Sequence, residues 1–222
     1  MADYPVIFNL SGRLCVVVGG GPIGLRKVRG LLMAGARVRL ITQDLCPEET
    51  VPAVVEILLR AYRPGDLEGA FLALAATGDP EVDKAVAAEA RSLGIPISLP
   101  GLPAAGDFSL PAVLRRGDLT VTVSTGGRCP ALAAHLAGRL GEWLPPAWET
   151  VVRISSAIRR MSLAFPDKLP YNQQVIACLL DAGLPQLIAA DDKDAVNRLL
   201  QKVLGTDITL ETLDVEWPDR QP

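Results

Sequence analysis

Gly19, Gly21 and Gly24, within "VVVGGGPIGLRK" (residues 16–27), carry the spacing G-x-G-x-x-G. Glycines so spaced between a strand and a helix can hold a dinucleotide. The first permits a tight turn, the second lets the backbone approach a pyrophosphate, and the third packs helix on strand. The helix start then presents free N–H groups and the positive end of its dipole to phosphate oxygens. The spacing alone is a weak signal, because a glycine turn can also serve packing only. The flanking elements have to decide. A second junction of similar grammar, "VTVSTGGRCPALA" (121–133), is another potential anion cradle.

The elements around the first glycine loop supply the required context. "LCVVVG" is apolar throughout, as expected of a central parallel strand covered on both faces. Leu25, Val28 and Leu32 then recur at helical spacing, and Pro22 is tolerated in a first helical turn. Gly35 ends that helix, and "ARVRLIT" alternates as a second strand. A third strand is expected within "VVEILLRAY" and a fourth in "AFLALAAT", which ends at Thr77. Asp79-Pro80-Glu81 reads as N-cap, N1 proline and first-turn acid of a helix running to Gly94, and "IPISL" follows as a short strand. Strand and helix in alternation predict an α/β fold, a Rossmann-like doubly wound parallel sheet. The glycine loop then follows the first strand and opens the first helix, so the candidate cofactor residues are Gly19, Gly20, Gly21, Pro22, Ile23 and Gly24, with Thr77 at the end of the fourth strand.

A carboxylate that reads the ribose belongs at the end of the second strand, about 20 residues beyond the glycines. Here the segment reads Thr42-Gln43-Asp44, so Gln43 holds the expected position and Asp44 follows it. Asp44 either reaches the ribose or caps a turn before "CPEE". No basic residue in that segment offers itself to a 2′-phosphate, which favours NAD over NADP.

Beyond residue 100 the character changes. "LPGLPAAGDFSLPAVLRRGD" reads as a long ordered loop followed by a short helix, "DLTVTVS" as a strand, and the segment from Pro130 as a helix. "LPPAW" (144–148) reads as a hinge, residues 149 to about 204 as mainly helical, and "TLETLDVEWPDRQP" as a loose tail.

Totals bound the remaining possibilities. The chain has 222 residues, 49% of them hydrophobic, enough for a real core in one or two domains. Its net charge of −3 gives no basic field to recommend a nucleic acid. No apolar run is long enough to cross a bilayer, and "MADYPVIFNLSGR" lacks the pattern of a signal peptide. Cys15, Cys46, Cys129 and Cys178 are scattered and read most simply as free thiols in a cytoplasmic protein. With His135 as the single histidine, a preformed metal site is not expected.

Four segments in order, "PVIFNLSGRLCVVVGGGPIGLRK", "AFLALAATGDPEVDKAVAAEA", "DFSLPAVLRRGDLTVTVSTGGRCPALA" and the helical remainder, resemble the precorrin-2 dehydrogenase and sirohydrochlorin ferrochelatase family, the N-terminal part of siroheme synthases. The resemblance is strong over residues 4 to about 145 and weak thereafter. It implies an NAD-binding domain (1–114), a dimerisation and substrate region (115–148) and a helical C-terminal domain (149–222). It also implies a homodimer that oxidises precorrin-2 to sirohydrochlorin with NAD, and in some members inserts Fe²⁺. Ser124 and Thr125 fall on the family's hydroxyl positions, where they either bond a substrate carboxylate or cap the following helix. Gly126, Gly127 and Arg128 are the candidate substrate contacts, Arg128 because a guanidinium can grip a carboxylate bidentately. Cys129, at the helix start, has either a dipole-lowered thiol pKa or a capping role.

The sequence also departs from the family. Where many members read Asn-Val-Val-Asp, this chain reads Ser98-Leu99-Pro100-Gly101, so the aspartate proposed as proton acceptor becomes a glycine. A glycine performs no acid–base chemistry. Asp107 is the candidate replacement, or an ordinary loop cap. Ferrochelatase activity is therefore doubtful, and hydride transfer, which depends more on positioning, is expected to persist. The competing reading is a non-catalytic NAD or tetrapyrrole carrier or sensor. A short-chain dehydrogenase is set aside, since no tyrosine has a lysine four residues on.

Overall fold

The computed structural model describes residues 3–46, 50–102, 105–165 and 171–218, which fall into two compact units. The first comprises the chain up to Leu110 together with Gly126–Arg128, and the second comprises Pro111–Thr125 and the chain from Cys129 onward.

In the first unit, β1 (Leu14–Val18), β2 (Arg37–Thr42), β3 (Glu56–Leu59), β4 (Leu72–Ala75) and β5 (Ile97–Ser98) form one parallel sheet in the order β3-β2-β1-β4-β5. Helix α1 (Pro22–Met33) links β1 to β2, and α2 (Pro80–Ser92) links β4 to β5. The continuous apolar run of β1 has a direct structural cause. Cys15 and Val17 pack with Leu25, Val28 and Leu31 of α1, while Val16 and Val18 pack with Val86, Ala87 and Ala90 of α2. Successive side chains point to opposite faces of a strand, so a strand with a core on each face must be apolar at every position. Full burial of a Val or Leu contributes roughly 1.5–3 kcal/mol, and this double core is the main anchor of the strand ends that bear the site. Asp79 caps α2 as expected, its carboxylate accepting from the N–H of Glu81 at 2.9 Å.

In the second unit, β6 (Ala112–Arg116) and β7 (Leu119–Val123) form an antiparallel hairpin. The short helix expected after the proline-rich loop is thus a strand. Arg116 pairs with Leu119, leaving Gly117-Asp118 as a two-residue turn with Gly117 at φ +53°. Two alternating runs separated by such a pair are a hairpin signal, and it outweighs the short helical reading of "AVLRR". Helix α3 (Pro130–Trp143) follows, and Arg116 donates to the carbonyls of Gly141 and Leu144 at its C-terminal end. Helices α4 (Ala147–Ala164), α5 (Gln173–Asp181), α6 (Leu184–Ala189) and α7 (Lys193–Leu204) share a core around Ile154, Ile158, Leu179, Leu184 and Leu200.

The stretch expected as a loose tail is packed through Trp217. Leu210 and Leu213 are buried in the helical core, and the Trp217 indole N–H donates to Asp191 at 2.6 Å. Apolar residues separated by three positions gave that stretch a helical-turn face to bury, a signal masked by its charged neighbours. The final residues, 219–222, lie outside the described ones.

Candidate functional site

A cleft of about 1210 Å³ opens at the carboxyl ends of β1, β2 and β4, lined by residues of the first unit alone. Ligands of open parallel sheets bind in this crevice, where the strand order reverses. Ordinary small-molecule sites occupy about 300–1,000 Å³, so this one has room for an extended ligand.

The glycine loop forms one wall, and each glycine is required for a different reason. Gly19 sits at φ +112°, and a Cβ there would collide with the Ala76 carbonyl beyond β4. At Gly20 a Cβ would come within 2.6 Å of the Asp44 carbonyl oxygen. Gly24 lies against the Gly19 carbonyl, with no space for a side chain. Gly21 differs: an added Cβ would meet nothing within 4 Å, and its φ of −72° is open to any residue. Tertiary crowding thus explains Gly19, Gly20 and Gly24, whereas Gly21 leaves space free beside the cleft that it lines.

The first helical bond of α1 runs from Leu25 N–H to the Gly21 carbonyl. The N–H groups of Ile23 and Gly24 precede it and so have no acceptor within the helix. These amides, not that of Gly20, are the ones available to an anion. Gly20 N–H already donates to the Thr42 hydroxyl at 3.0 Å, and that hydroxyl donates to the Asp44 carbonyl at 2.6 Å. Thr42 is buried and ties the end of β2 to the glycine loop. A threonine one residue before the ribose-reading position is visible in the sequence, but its bond to the glycine loop, 22 residues away, is not.

The other walls come from β2, from residues 60–64 and from α2. Gln43, Asp44 and Thr77 line the cleft as expected from their strand-end positions. Thr77 is locked in place, its hydroxyl donating to the buried Asp83 at 2.7 Å and accepting from Asp79 N–H at 3.0 Å. Arg60 and Tyr62 enter the lining from beyond β3. The Tyr62 hydroxyl donates to Glu89 of α2, which also accepts from the N–H groups of Gly65 and Leu67. Burial, followed by that bond to Glu89, pushes the Tyr62 phenol far above its ordinary range, so it stays protonated. Residues 47–49, the "PEE" after Cys46, lie outside the described ones.

The sequence family described as "Putative NAD(P)-binding" matches residues 6–112, the span that builds this sheet and cleft. The chain is 33% identical over 206 residues to a siroheme synthase of Chromobacterium violaceum, covering 91% of this chain and 44% of that protein. It is 35% identical over 169 residues to a siroheme synthase of Ectopseudomonas mendocina, covering 75% and 37% respectively. Over most of its own length the chain is similar to siroheme synthases. It spans less than half the length of these curated relatives. A solved structure named "SirC, precorrin-2 dehydrogenase" has the same fold, with a TM-score of 0.67 at 21% identity, covering 90% of this chain and 98% of that one.

Gly101 is exposed, has no atom within 4 Å of a built Cβ, and does not need the left-handed region. Residues 103 and 104 of the same loop lie outside the described ones. The Asp107 carboxylate accepts from Ile97 N–H at 2.9 Å, while its own N–H donates to the Ile97 carbonyl at 2.8 Å. That reciprocal pair fastens the loop to β5. The Thr125 hydroxyl accepts from Cys129 N–H at 3.1 Å, and Ser124 and Arg128 are exposed. Cys129 is the N-cap of α3 but makes no side-chain capping bond. Among the described residues no group of histidine, cysteine, aspartate and glutamate is placed to hold a metal, and no helix is long and apolar enough to cross a membrane.

Proposed function

We propose that this chain is an NAD-dependent precorrin-2 dehydrogenase of siroheme biosynthesis, with weak or absent ferrochelatase activity. The observation that carries the reading is the glycine loop. Its crowded glycines shape a turn at the crevice, while Gly21 leaves space open there and the amides of Ile23 and Gly24 have no acceptor within the helix. These residues fit a pyrophosphate, with Gln43, Asp44 and Thr77 toward the nucleosides. NAD⁺, when bound, accepts the hydride that precorrin-2 loses on becoming sirohydrochlorin, and a proton goes to water.

In this reading the protein's own contribution is position. Thr42 and Asp83 fix the strand ends against which the cofactor lies. Ser124, Thr125, Gly126, Gly127 and Arg128 are proposed to receive substrate carboxylates, in a homodimer whose contact region is 115–148. Asp107 is proposed as a loop fastener, because its carboxylate already holds a backbone N–H. Gly101 then leaves the loop without the acid–base group that metal insertion uses.

The test is a spectroscopic assay of the purified protein with precorrin-2 and NAD⁺, followed by addition of Fe²⁺. Oxidation with slow chelation is expected. Gly101→Asp, which the backbone and the open space accommodate, should raise chelation, since a general acid–base group contributes about 10²- to 10⁴-fold. Binding of NAD⁺ and tetrapyrrole without oxidation would replace the enzyme reading with that of a carrier. Efficient wild-type chelation unaffected by Gly101→Asp or Asp107→Asn would remove the vacancy at position 101.

A further inference from the structure

We propose that Asp66 sets the cofactor preference of the cleft by holding Arg60 in a closed ion pair. The inference rests on the reading of the cleft as a NAD site. Parallel pairing of β2 and β3 sets Thr42 beside Leu59. Arg60 follows the end of β3 directly, as Gln43 follows the end of β2, and both residues line the cleft beside these paired strand ends. This is the strand end at which folds of this kind distinguish a ribose 2′-hydroxyl from a 2′-phosphate, and an arginine there is the usual partner of the phosphate.

Arg60 is the one cation among the described residues lining the cleft. Its fork is already filled. The two terminal nitrogens donate to the two Asp66 carboxylate oxygens at 2.8 and 2.7 Å, and one also donates to the Ala61 carbonyl at 3.0 Å. A bidentate pair of this geometry satisfies the guanidinium's directional donors as well as its charge. Asp66 is itself fixed: it is 7% exposed, and the Arg63 N–H donates to the same carboxylate at 2.8 Å. The Arg60 hydrogen bonds hold the Asp66 carboxyl below the ordinary carboxylate range, so the pair remains ionised at neutral pH.

With Arg60 engaged, the other acidic and basic residues of the described lining are all acidic: Asp44, Asp79, Glu81 and Glu89. A 2′-phosphate would bring nearly two further negative charges to an acidic wall that, among the described residues, has no free cation to receive them. A 2′-hydroxyl pays no such penalty. The absence of basic residues from the segment 42–44 is thus half of the explanation for NAD preference. The other half is that the basic residue supplied by the adjacent strand is neutralised.

The experiment is calorimetric titration of NAD⁺ and NADP⁺ into wild-type protein and the variants Asp66→Asn, Arg60→Gln and Arg60→Gln/Asp66→Asn, with circular dichroism melts to verify folding. Wild type should prefer NAD⁺. Asp66→Asn keeps an acceptor for Arg63 N–H but releases the guanidinium, and should shift the NADP⁺/NAD⁺ affinity ratio upward by roughly tenfold or more, the worth of one charge-assisted bond. The double variant should lose that shift, and Arg60→Gln alone should change the ratio little. If Asp66→Asn does not fold, Arg60→Lys serves: a lysine cannot be gripped bidentately, so a smaller shift in the same direction is expected. An unchanged ratio in a folded Asp66→Asn or Arg60→Lys protein overturns the proposal while leaving the cofactor reading intact. Wild-type protein that binds neither nucleotide overturns both.

Discussion

The chain contains two strand–glycine–helix junctions, β1 to α1 and β7 to α3, each with a proline at the start of the helix. In sequence they look alike, but their surroundings make them physically different. At the first, the ends of β2 and β4 flank β1, so Gly19 and Gly20 lie against the Ala76 and Asp44 carbonyls and the Gly20 amide is spent on Thr42. At the second, β7 has a single partner, β6, and the turn residues are largely exposed. Gly126 adopts φ +60°, yet a Cβ there would meet only Asp3, at an ordinary 3.4 Å. A glycine turn therefore becomes a shaped cleft only where neighbouring strands close around it. The second junction satisfies its local needs, Thr125 to Cys129, and lines no part of the cleft found at the first.

The largest effect expected from this contrast concerns Gly21. Gly21→Asp should fold normally, because the position is open and aspartate is a favoured N-cap residue. It should nevertheless weaken NAD⁺ binding by about 100-fold or more, since its charge would face the pyrophosphate. Calorimetry on a variant with an unaltered melting temperature checks this, and undiminished affinity would return the loop to a purely packing role.

A smaller, paired effect tests the crowding. Gly19→Ala should cost about 2–4 kcal/mol of stability, from both backbone strain and collision with the Ala76 carbonyl. Gly126→Ala should cost about 1–2 kcal/mol, the left-handed penalty alone. Equal losses in denaturant melts would mean that the two turns are equally constrained.

The smallest pair concerns the hydroxyls. Thr42→Val leaves the Gly20 N–H buried without its acceptor and should cost about 1–3 kcal/mol. Thr125→Val exposes the Cys129 N–H to water instead, so less than about 1 kcal/mol is expected. A reversed order would make the second junction the tighter one.

Local chemistry made much of this legible in the chain. The all-apolar β1, the alternation of β2, the Asp79 cap and the glycine spacing each state a local preference, and the parallel sheet follows from their order. The hairpin of β6 and β7 was also written locally, in Gly117-Asp118, but competed with a helical reading of the same short run. The packing of Leu210, Leu213 and Trp217 was not local at all, because its partners lie on distant helices.

By itself, then, the amino-acid order determined the sheet, the place of the cleft within it and the absence of a carboxylate at position 101, all properties of residue type and spacing. Only the tertiary structure decided which backbone amides remain free and which charges are already paired. Arg60 shows why: it lies 17 residues beyond Gln43 in the chain, yet both line one cleft because the strands that precede them pair side by side. Asp66, six residues further on, then takes up its guanidinium through a loop that returns across the strand end. Spacing along a chain specifies periodicity, but hydrogen bonding and ion pairing depend on separations in space that only the completed packing defines.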